Sequence, residues 1–378
     1  MKTAVKLFAA GVLASVALGA RAELTIGVVV SLTGPASGLG IPMNNGLKLW
    51  PDTIAGEKVR MIVLDDATDP STGVKNARRL VTDEKVDVIL GSSTTPISVA
   101  MAEVATESGT VQIALSPPPL PPGKDTWTFR IAHSATVIAH PMVAHMKKNG
   151  VKNVGFLGYI DAYGESWLKE FGAVAEKAGI KVSAVERFQR TDTSVTGQAL
   201  KLVSANPDAI LVVASGSGAA MPHRALVERG YKGKIYQTHA AATRDLMRVG
   251  GKDVEGGYVV SGPATIAEQL PDSNPSKKAA LAYVQQYDKA YGAGMRNQFA
   301  GHTFDTLMVL QKVVPMAMQK GKPGTREFRA ALRDAMESFG PLPISQGVLN
   351  YTKTDHWGYT NDSAVVLKVV NGDWEVQQ

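Results

Sequence analysis

The stretch that decides the fold is residues 86–116, VDVILGSSTTPISVAMAEVATESGTVQIALS. Its apolar run at 86–90 predicts a buried strand, 91–95 an exit loop, and Pro96 the first turn of a helix that ends near residue 108. A second apolar run at 111–115 predicts the next strand. A strand, a helix and a strand of these lengths are typical of a βαβ unit, in which the two strands lie parallel in one sheet.

Both strand exits of this unit carry hydroxyl groups and no charged residue. Ligands of open α/β sheets bind at the carboxyl ends of the strands, and a helix N-terminus attracts anions through its free amides and its dipole. We therefore expect an anion site that uses neither Arg nor Lys, although the same hydroxyls could serve only as helix caps. The residues expected at this site are Ser93, Thr94, Thr95, Ser116, Pro117 and Pro118.

The N-terminus has the pattern of a secretory signal peptide. Lys2 and Lys6 precede an apolar run of residues 7–18, and Ala20 and Ala22 fit the small-residue rule for cleavage before Glu23. That run is too short to span a bilayer, which needs about 20 helical residues. We therefore expect residues 1–22 to be removed and the mature protein to lie in the periplasm.

Composition narrows the range of partners. Removing residues 1–22 lowers the formal net charge from +6 to +3, and no block of Lys and Arg interleaved with aromatic residues occurs. This pattern argues against nucleic acid or an anionic membrane as partner. The chain has no cysteine, which excludes disulfides and thiolate metal sites. The remaining 356 residues exceed what one core usually holds, so we expect two domains.

Apolar runs alternate with amphipathic helical segments along most of the chain, which predicts two doubly wound α/β lobes in tandem. We expect the first set of strands at 24–30, 60–64, 86–90, 111–115 and 127–131, with helices at 45–50, 69–83 and 96–108. The second set is expected at 153–157, 181–186, 209–213, 235–237 and 257–260, with helices at 165–178, 195–204, 219–229 and 243–249.

The C-terminal third contains helical patterns at 277–291, 298–319 and 325–338, followed by strand-like runs at 347–351 and 363–370. Because these helices bring no strand set of their own, we expect them to cover the first sheet and the tail to return to the second. The first lobe is thus predicted as 23–132 and 264–345, and the second as 133–263 and 346–378. Three crossings between the lobes would form a hinge.

Several motifs in this order resemble the type I periplasmic binding proteins. They are 31–40 (SLTGPASGLG), 65–70 (DDATDP), the 91–95 loop, Tyr163-Gly164-Glu165 and 299–305. The resemblance covers essentially the whole mature chain and is to the branched-chain amino-acid (leucine/isoleucine/valine) receptors of ABC importers. It implies a monomeric binding protein without cofactor that delivers a small-molecule ligand to ABC permease subunits. It also implies that Asp65, Asp66 and Asp69 form a turn and a helix cap rather than an acid/base pair.

The resemblance also implies which residues bind the ligand. Thr95 matches the family's carboxylate-binding serine. Pro118 replaces a threonine that offers a hydroxyl and an amide, and because proline offers neither, the hydrogen bonds to the carboxylate must differ. Leu39 stands where an aromatic residue often covers the ligand, and Phe299 and Tyr163 match aromatic positions of the pocket. The loop at 214–218 carries Ser215 and Ser217 in place of a ligand-contacting tyrosine.

One departure from the family concerns the ligand's amine. His239 aligns with the acidic residue that pairs with the α-ammonium group, and an imidazole is a poor partner for that group. We therefore expect a carboxylate ligand without an α-amino group, and the flat faces of Phe299 and Tyr163 favour aromatic acids such as benzoates or phenylpropenoates. His239 could then donate to a second polar group, or it could be purely structural.

Enzymatic functions find less support in the sequence. No G-x-S-x-G, H-E-x-x-H, Walker A or complete G-x-G-x-x-G motif occurs, and His140 and His145 do not share a helix face, so we expect no metal site and no enzyme. A serine hydrolase stays open because triad residues need not be adjacent in sequence. A branched-chain amino-acid receptor and a ligand-sensing regulatory domain stay open as well.

Overall fold

The computed structural model describes residues 23–361 and 363–377, so the expected signal peptide at 1–22 lies outside the described part. The first of its two large sheets has six strands in the order β2-β3-β1-β4-β5-β6. These strands are β1 (Leu24–Val30), β2 (Thr53–Ile54), β3 (Glu57–Asp65), β4 (Val88–Gly91), β5 (Val111–Ala114) and β6 (Thr128–Arg130). The helices between them are α1 (Ser37–Leu47), α2 (Pro70–Thr82) and α3 (Thr95–Ser108).

The second large sheet has seven strands in the order β15-β14-β11-β10-β9-β7-β8, and a separate pair, β12 and β13, forms a small sheet. The strands are β7 (Asn153–Tyr159), β8 (Lys181–Phe188), β9 (Ala209–Val213), β10 (Lys234–Gln237), β11 (Tyr258–Ser261), β12 (Leu342–Ile344), β13 (Gly347–Leu349), β14 (Val365–Val370) and β15 (Asp373–Gln377). The helices are α4 (Ala135–Lys148), α5 (Ala162–Lys177), α6 (Thr196–Ala205), α7 (Ala220–Glu228), α8 (Arg244–Gly250), α9 (Lys277–Tyr291), α10 (Gln298–Met318) and α11 (Arg326–Met336).

The strand order confirms two doubly wound lobes. In the first sheet β1 pairs in parallel with β3 on one side and β4 on the other, and in the second sheet β7 pairs in the same way with β8 and β9. The chain therefore reverses its direction of winding between β1 and β4 and again between β7 and β9. Ligands of such sheets bind outside the carboxyl ends of the strands at this reversal.

Most predicted elements form close to their expected bounds, but the helix expected at 45–50 instead spans Ser37–Leu47. Pro42 and three glycines within it weaken the helical signal of the sequence. One of these glycines is required, because a Cβ on Gly40 would lie 2.1 Å from the carbonyl oxygen of Ser31 at the end of β1. Helix α4 was not expected from the sequence. It contains Pro141 and begins at Ser134, whose hydroxyl accepts a hydrogen bond from the amide of Val137 at 3.1 Å.

The C-terminal helices pack against elements of the first sheet. Tyr291 of α9 donates to the carbonyl of Asn45 at 2.9 Å, and Gly46 of α1 faces Thr303 of α10, whose hydroxyl would lie 2.2 Å from a Cβ on Gly46. The tail then joins the second sheet, since β14 pairs antiparallel with β11. Residues 347–359 do not join it, because β13 pairs with β12, and Tyr351 donates to the carbonyl of Arg130 at 2.7 Å. The residue limits of the two lobes stay predictions.

The chain is predicted to cross between the lobes at 132–133, 263–264 and 345–346. Residues at or next to these three crossings form one hydrogen-bonded group, which we call the hinge. His133 Nε2 lies 2.8 Å from the carbonyl oxygen of Gln346, and Gln346 Nε2 donates to the carbonyl of Gln298 at 3.3 Å. The Gln298 side chain accepts from the Ser261 hydroxyl at 3.3 Å and donates to the carbonyl of His239 at 2.6 Å. Each crossing is thereby tied to α10 or to another crossing.

Candidate functional site

A cavity lies between the carboxyl ends of the two sheets. Ten of the twelve predicted site residues line it, namely Leu39, Ser93, Thr94, Thr95, Ser116, Pro117, Tyr163, Ser215, His239 and Phe299. Nearly all of them follow a parallel strand, as the fold requires. Leu39 extends toward the second lobe, where a Cβ on Gly216 would be 3.2 Å from its Cδ1 atom and where φ of +54° favours glycine.

Buried hydrogen bonds hold the loop between β4 and α3 in place. Asp66 accepts from the hydroxyls of Ser31 at 2.7 Å and Ser92 at 2.6 Å, and the Ser93 hydroxyl accepts from the amide of Ser31 at 3.1 Å. Asp69 caps α2 by accepting from the amide of Thr72 at 2.7 Å. Residues 65–70 therefore form the turn and the helix cap that the family resemblance implies. Asp66 stabilises the loop between β4 and α3 through its hydrogen bond to Ser92.

Two hydroxyls of this loop have no partner. Thr94 occupies the N-cap position of α3 without a side-chain capping bond, and the buried Oγ1 atoms of Thr94 and Thr95 make no hydrogen bond. By contrast, the Ser116 hydroxyl lies 2.7 Å from that of Ser98, which accepts from the amide of Ser92 at 2.8 Å. An unpaired buried hydroxyl costs about 1–3 kcal/mol, so a bound group that hydrogen-bonds to these two atoms would be favoured. The hypothesis that the threonines act only as side-chain caps is wrong.

The second lobe contributes a charged residue that was not expected from the sequence. Arg190, two residues beyond β8, donates from Nε to Asp161 at 2.6 Å and from Nη1 to the hydroxyl of Ser215 at 3.0 Å. Its guanidinium lies 4.1 Å from the centroid of the Tyr159 ring and its side chain is 13% exposed. The anion site without Arg at the N-terminus of α3 stays a prediction, and Arg190 is an addition to the residues of the cavity. Its position at a strand exit is the sequence signal that would have found it.

Both carboxylate oxygens of Asp161 already accept hydrogen bonds. Besides the bond from Arg190, it accepts from the amides of Tyr163 at 2.9 Å and Gly164 at 3.3 Å, so that it caps α5. Tyr163 lies with its hydroxyl 2.7 Å from that of Thr238, and burial raises its pKa, so the phenol is neutral. The ring of Tyr163 is thus held in place at the wall of the cavity.

His239 is 2% exposed and lies beside two aromatic rings. The centroid of its ring is 6.0 Å from that of Trp167 and 6.2 Å from that of Tyr163. Burial, together with the nearby His133 and His302, lowers the pKa of His239 well below 6.5, so the imidazole is neutral. Its Nδ1 atom makes no hydrogen bond.

α10 brings two further side chains to the cavity. Phe299 was predicted, whereas His302, one helical turn later, was not, although a spacing of three residues places both on one face of the helix. Their rings meet edge to face with centroids 6.0 Å apart. Burial lowers the pKa of His302 to about 3. The other lining residues that were not expected from the sequence are Leu115, Ala132 and Ala240.

Two predicted residues lie outside the cavity. The carbonyl of Pro118 accepts from Arg130 Nε at 3.0 Å, which turns the residue away from the cleft. Ser217 is exposed in the 3₁₀ turn Gly216–Ala219, and Ser215 is the serine of that loop that lines the cavity. The sequence left the choice between the two serines open, because it does not show how the turn is oriented.

The charges around the cavity disfavour a cation. Among the described residues that line it, Arg190 is the charged one and none is Asp or Glu. In 23–361 and 363–377, His, Asp and Glu form no group of three with the geometry of a metal site. Within the same ranges, every helix falls short of the length and apolar character that crossing a membrane requires.

Comparisons with known proteins extend over nearly all of the described chain. The family described as "Periplasmic binding protein" matches residues 23–372. A curated relative, Leu/Ile/Val-binding protein homolog 3 of Brucella melitensis, is 24% identical over 89% of this chain and 89% of its own length.

Solved structures share the fold. An extracellular ligand-binding receptor from Rhodopseudomonas palustris is 47% identical, with a TM-score of 0.92 over 94% of this chain and 99% of that one. An ABC transporter solute-binding protein from R. palustris in complex with benzoate has a TM-score of 0.79 over 94% of this chain and 95% of that one, at 18% identity. At that identity the likeness shows the fold alone.

Proposed function

The chain belongs to the periplasmic binding protein family of solute receptors, which are not enzymes, and from this premise we propose that it binds a small carboxylate without an α-amino group. The ligand contacts both lobes and thereby stabilises their closed arrangement, and an ABC permease receives the ligand from this closed form. The observation that carries the ligand class is that none of the described lining residues is Asp or Glu, whereas two unpaired hydroxyls lie at the N-terminus of α3.

The carboxylate of the ligand is assigned to the N-terminus of α3. The hydroxyls of Thr94 and Thr95 are buried there without partners, and the helix dipole favours a negative charge. Arg190 of the second lobe lines the same cavity while paired with Asp161. A ligand held by both groups would favour the closed arrangement of the lobes.

An α-ammonium group would lack a partner in this cavity. His239 stands where the family has an acidic residue, and its imidazole is neutral. The oxygens of Asp161 are already used by Arg190 and by the cap of α5. Burying an unpaired charge costs several kcal/mol, which argues against an amino acid as ligand.

An aromatic acid is the specific ligand that we propose. Phe299, Tyr163 and Trp167 place flat rings at or beside the cavity, and such rings can stack on an aromatic ligand. The benzoate complex with the same fold is consistent with this choice. The names of curated relatives favour the second candidate, a branched-chain amino-acid receptor.

Binding of compound pairs that differ only by the amine distinguishes a receptor for acids from a receptor for branched-chain amino acids. Leucine is compared with 4-methylpentanoate, phenylalanine with 3-phenylpropanoate, and benzoate is added, by thermal shift and titration calorimetry. A ligand at 100 times its Kd stabilises the native state by about 2.7 kcal/mol. We expect the acids to raise the melting temperature and the amino acids to leave it unchanged. Binding of leucine, isoleucine or valine without binding of any acid would overturn the proposal.

A variant that gains affinity for an amino acid would test the role of position 239 directly. His239→Asp supplies the carboxylate that the cavity lacks, so it should bind leucine more tightly than the wild type does and 4-methylpentanoate more weakly. Equal effects on both compounds would mean that position 239 does not face the amine.

We also propose that the protein is exported. Cleavage before Glu23 would release the mature protein into the periplasm, as the family implies. The intact mass of the exported protein tests this, because it should equal that of residues 23–378.

A further inference from the structure

Two buried histidines face the cavity with ring nitrogens that lack partners. His302 is 1% exposed and His239 is 2% exposed. Neither ring nitrogen of His302 makes a hydrogen bond of ordinary geometry, although the Leu115 carbonyl lies near the ring, and Nδ1 of His239 makes none. Buried polar atoms are nearly always paired, so unpaired ones in a cavity mark the place of a missing partner.

The two histidines come from opposite sides of the cleft. His302 lies on α10, which packs on the first lobe, whereas His239 follows β10 of the second sheet. Both line the same cavity, and His302 is close enough to His239 to lower its pKa. A group bound between them would therefore contact both lobes.

The chemistry of these nitrogens selects a neutral partner. A neutral imidazole has one N–H donor and one acceptor nitrogen, and a hydroxyl group can both donate and accept. A second carboxylate fits less well, because Arg190 is already paired with Asp161 and the two imidazoles bring no charge. The Phe299 ring beside His302 adds an apolar face, whereas Trp167 beside His239 also carries a buried indole N–H.

We propose that His239 and His302 bind a hydroxyl group of the ligand, which makes the natural ligand a hydroxylated acid, with the hydroxyl separate from the carboxylate. This inference rests on the proposed function, since it assumes that an acid occupies the cavity. It assigns His302 as the residue that distinguishes hydroxylated acids from plain ones.

The test compares the affinities for plain and hydroxylated benzoates between the wild type and two variants of His302. Affinities for benzoate and its three monohydroxylated isomers are measured by titration calorimetry on the wild type, His302→Leu and His302→Gln. We expect at least one isomer to bind the wild type about 5- to 10-fold more tightly than benzoate, the effect of one added hydrogen bond. His302→Leu should bring that ratio close to one with little change for benzoate, and His302→Gln, which keeps a donor and an acceptor, should restore part of it.

His223→Leu is the matched control. His223 is equally buried, lies in the second lobe outside the cavity, and has its Nδ1 atom 3.0 Å from Gln237 Nε2. This variant should leave the ratio of the two affinities unchanged, whatever it does to stability. If it shifts the ratio as much as His302→Leu does, the effect is indirect and the assignment is wrong.

The outcomes separate this inference from the proposed function. If no acid binds to the wild type, both fail. If benzoate binds but no hydroxylated isomer binds more tightly, or if His302→Leu keeps the wild-type ratio, the acid site stands and the role of His302 is refuted. Retention of the ratio in both His302 variants would mean that the imidazole contacts only water.

Discussion

Neighbouring hydroxyls of the loop between β4 and α3 differ in what they contact. The Ser92 hydroxyl donates to the buried Asp66 at 2.6 Å, whereas Oγ1 of Thr95 has no partner. The first hydroxyl therefore stabilises the fold, and the second is left for a ligand. At the scale of single residues, type and position in sequence did not separate these two roles.

Thr95→Ala is expected to weaken binding of the acid while leaving the apo protein intact. Loss of a hydrogen bond to a charged group costs about 1.5–3 kcal/mol, or about 10- to 150-fold in affinity. Calorimetry measures the affinity, and thermal melting without ligand measures the stability. Ser92→Ala is the matched control, and it should lower the apo melting temperature because Asp66 loses a buried donor. A less stable apo protein with unchanged affinity in Thr95→Ala would show that Thr95 is structural.

At the scale of elements, α10 joins the cavity to the hinge. Its N-terminal turns carry Phe299 and His302 into the cavity, and Gly301 between them faces the hinge, where a Cβ would lie 2.8 Å from Gln346 Nε2. The other side of the same amide is blocked, because a Cβ on Gly262 would lie 2.0 Å from Gln346 Oε1. The amide is therefore held between two glycines.

Gly301→Ala should cost stability even though alanine favours helices. Gly172 of α5 is the matched control, since a Cβ there meets nothing within 4 Å. Gly172→Ala is expected to raise the free energy of unfolding by about 0.5–1 kcal/mol. Gly301→Ala should fail to show this gain and should weaken acid binding, because the added methyl displaces the amide of Gln346 from Gln298. Equal stabilisation by both changes, measured by denaturant unfolding, would show that the hinge has room to adjust.

At the scale of the whole molecule, burial of neutral histidines makes stability depend on pH. Burial lowers the pKa of His133 and of His223 to about 4, that of His302 to about 3, and that of His239 well below 6.5. Below pH 6.5 the unfolded chain binds protons at these residues that the native state does not, so stability falls as the pH falls. Asp305 acts in the opposite direction, because burial raises its pKa to about 8 and its native form keeps a proton that the unfolded chain releases above pH 4.

Two variants should change this dependence with opposite signs. Each buried histidine contributes up to about 1.4 kcal/mol per pH unit to the fall in the free energy of unfolding between pH 6 and 4.5. His302→Gln removes one such contribution and should make the dependence shallower, whereas Asp305→Asn removes the opposing one and should make it steeper. Denaturant unfolding at several pH values measures both. A change in the same direction for both variants would contradict the assignment.

The sequence by itself determined the fold class, the strand β1 at Leu24–Val30 and the cap of α2 at Asp69, because periodicity and capping depend on neighbouring residues. The rule that ligands bind at strand exits identified one part of the cavity, Ser93 to Thr95, Ser116 and Pro117, and the family resemblance identified Leu39, Tyr163, Ser215, His239 and Phe299. Only the tertiary structure decided that Arg190 and His302 enter the cavity, that Ser215 rather than Ser217 lines it, and that the hydroxyl of Thr95 stays free. These facts depend on contacts between segments far apart in the chain, and local sequence patterns contain no record of such contacts.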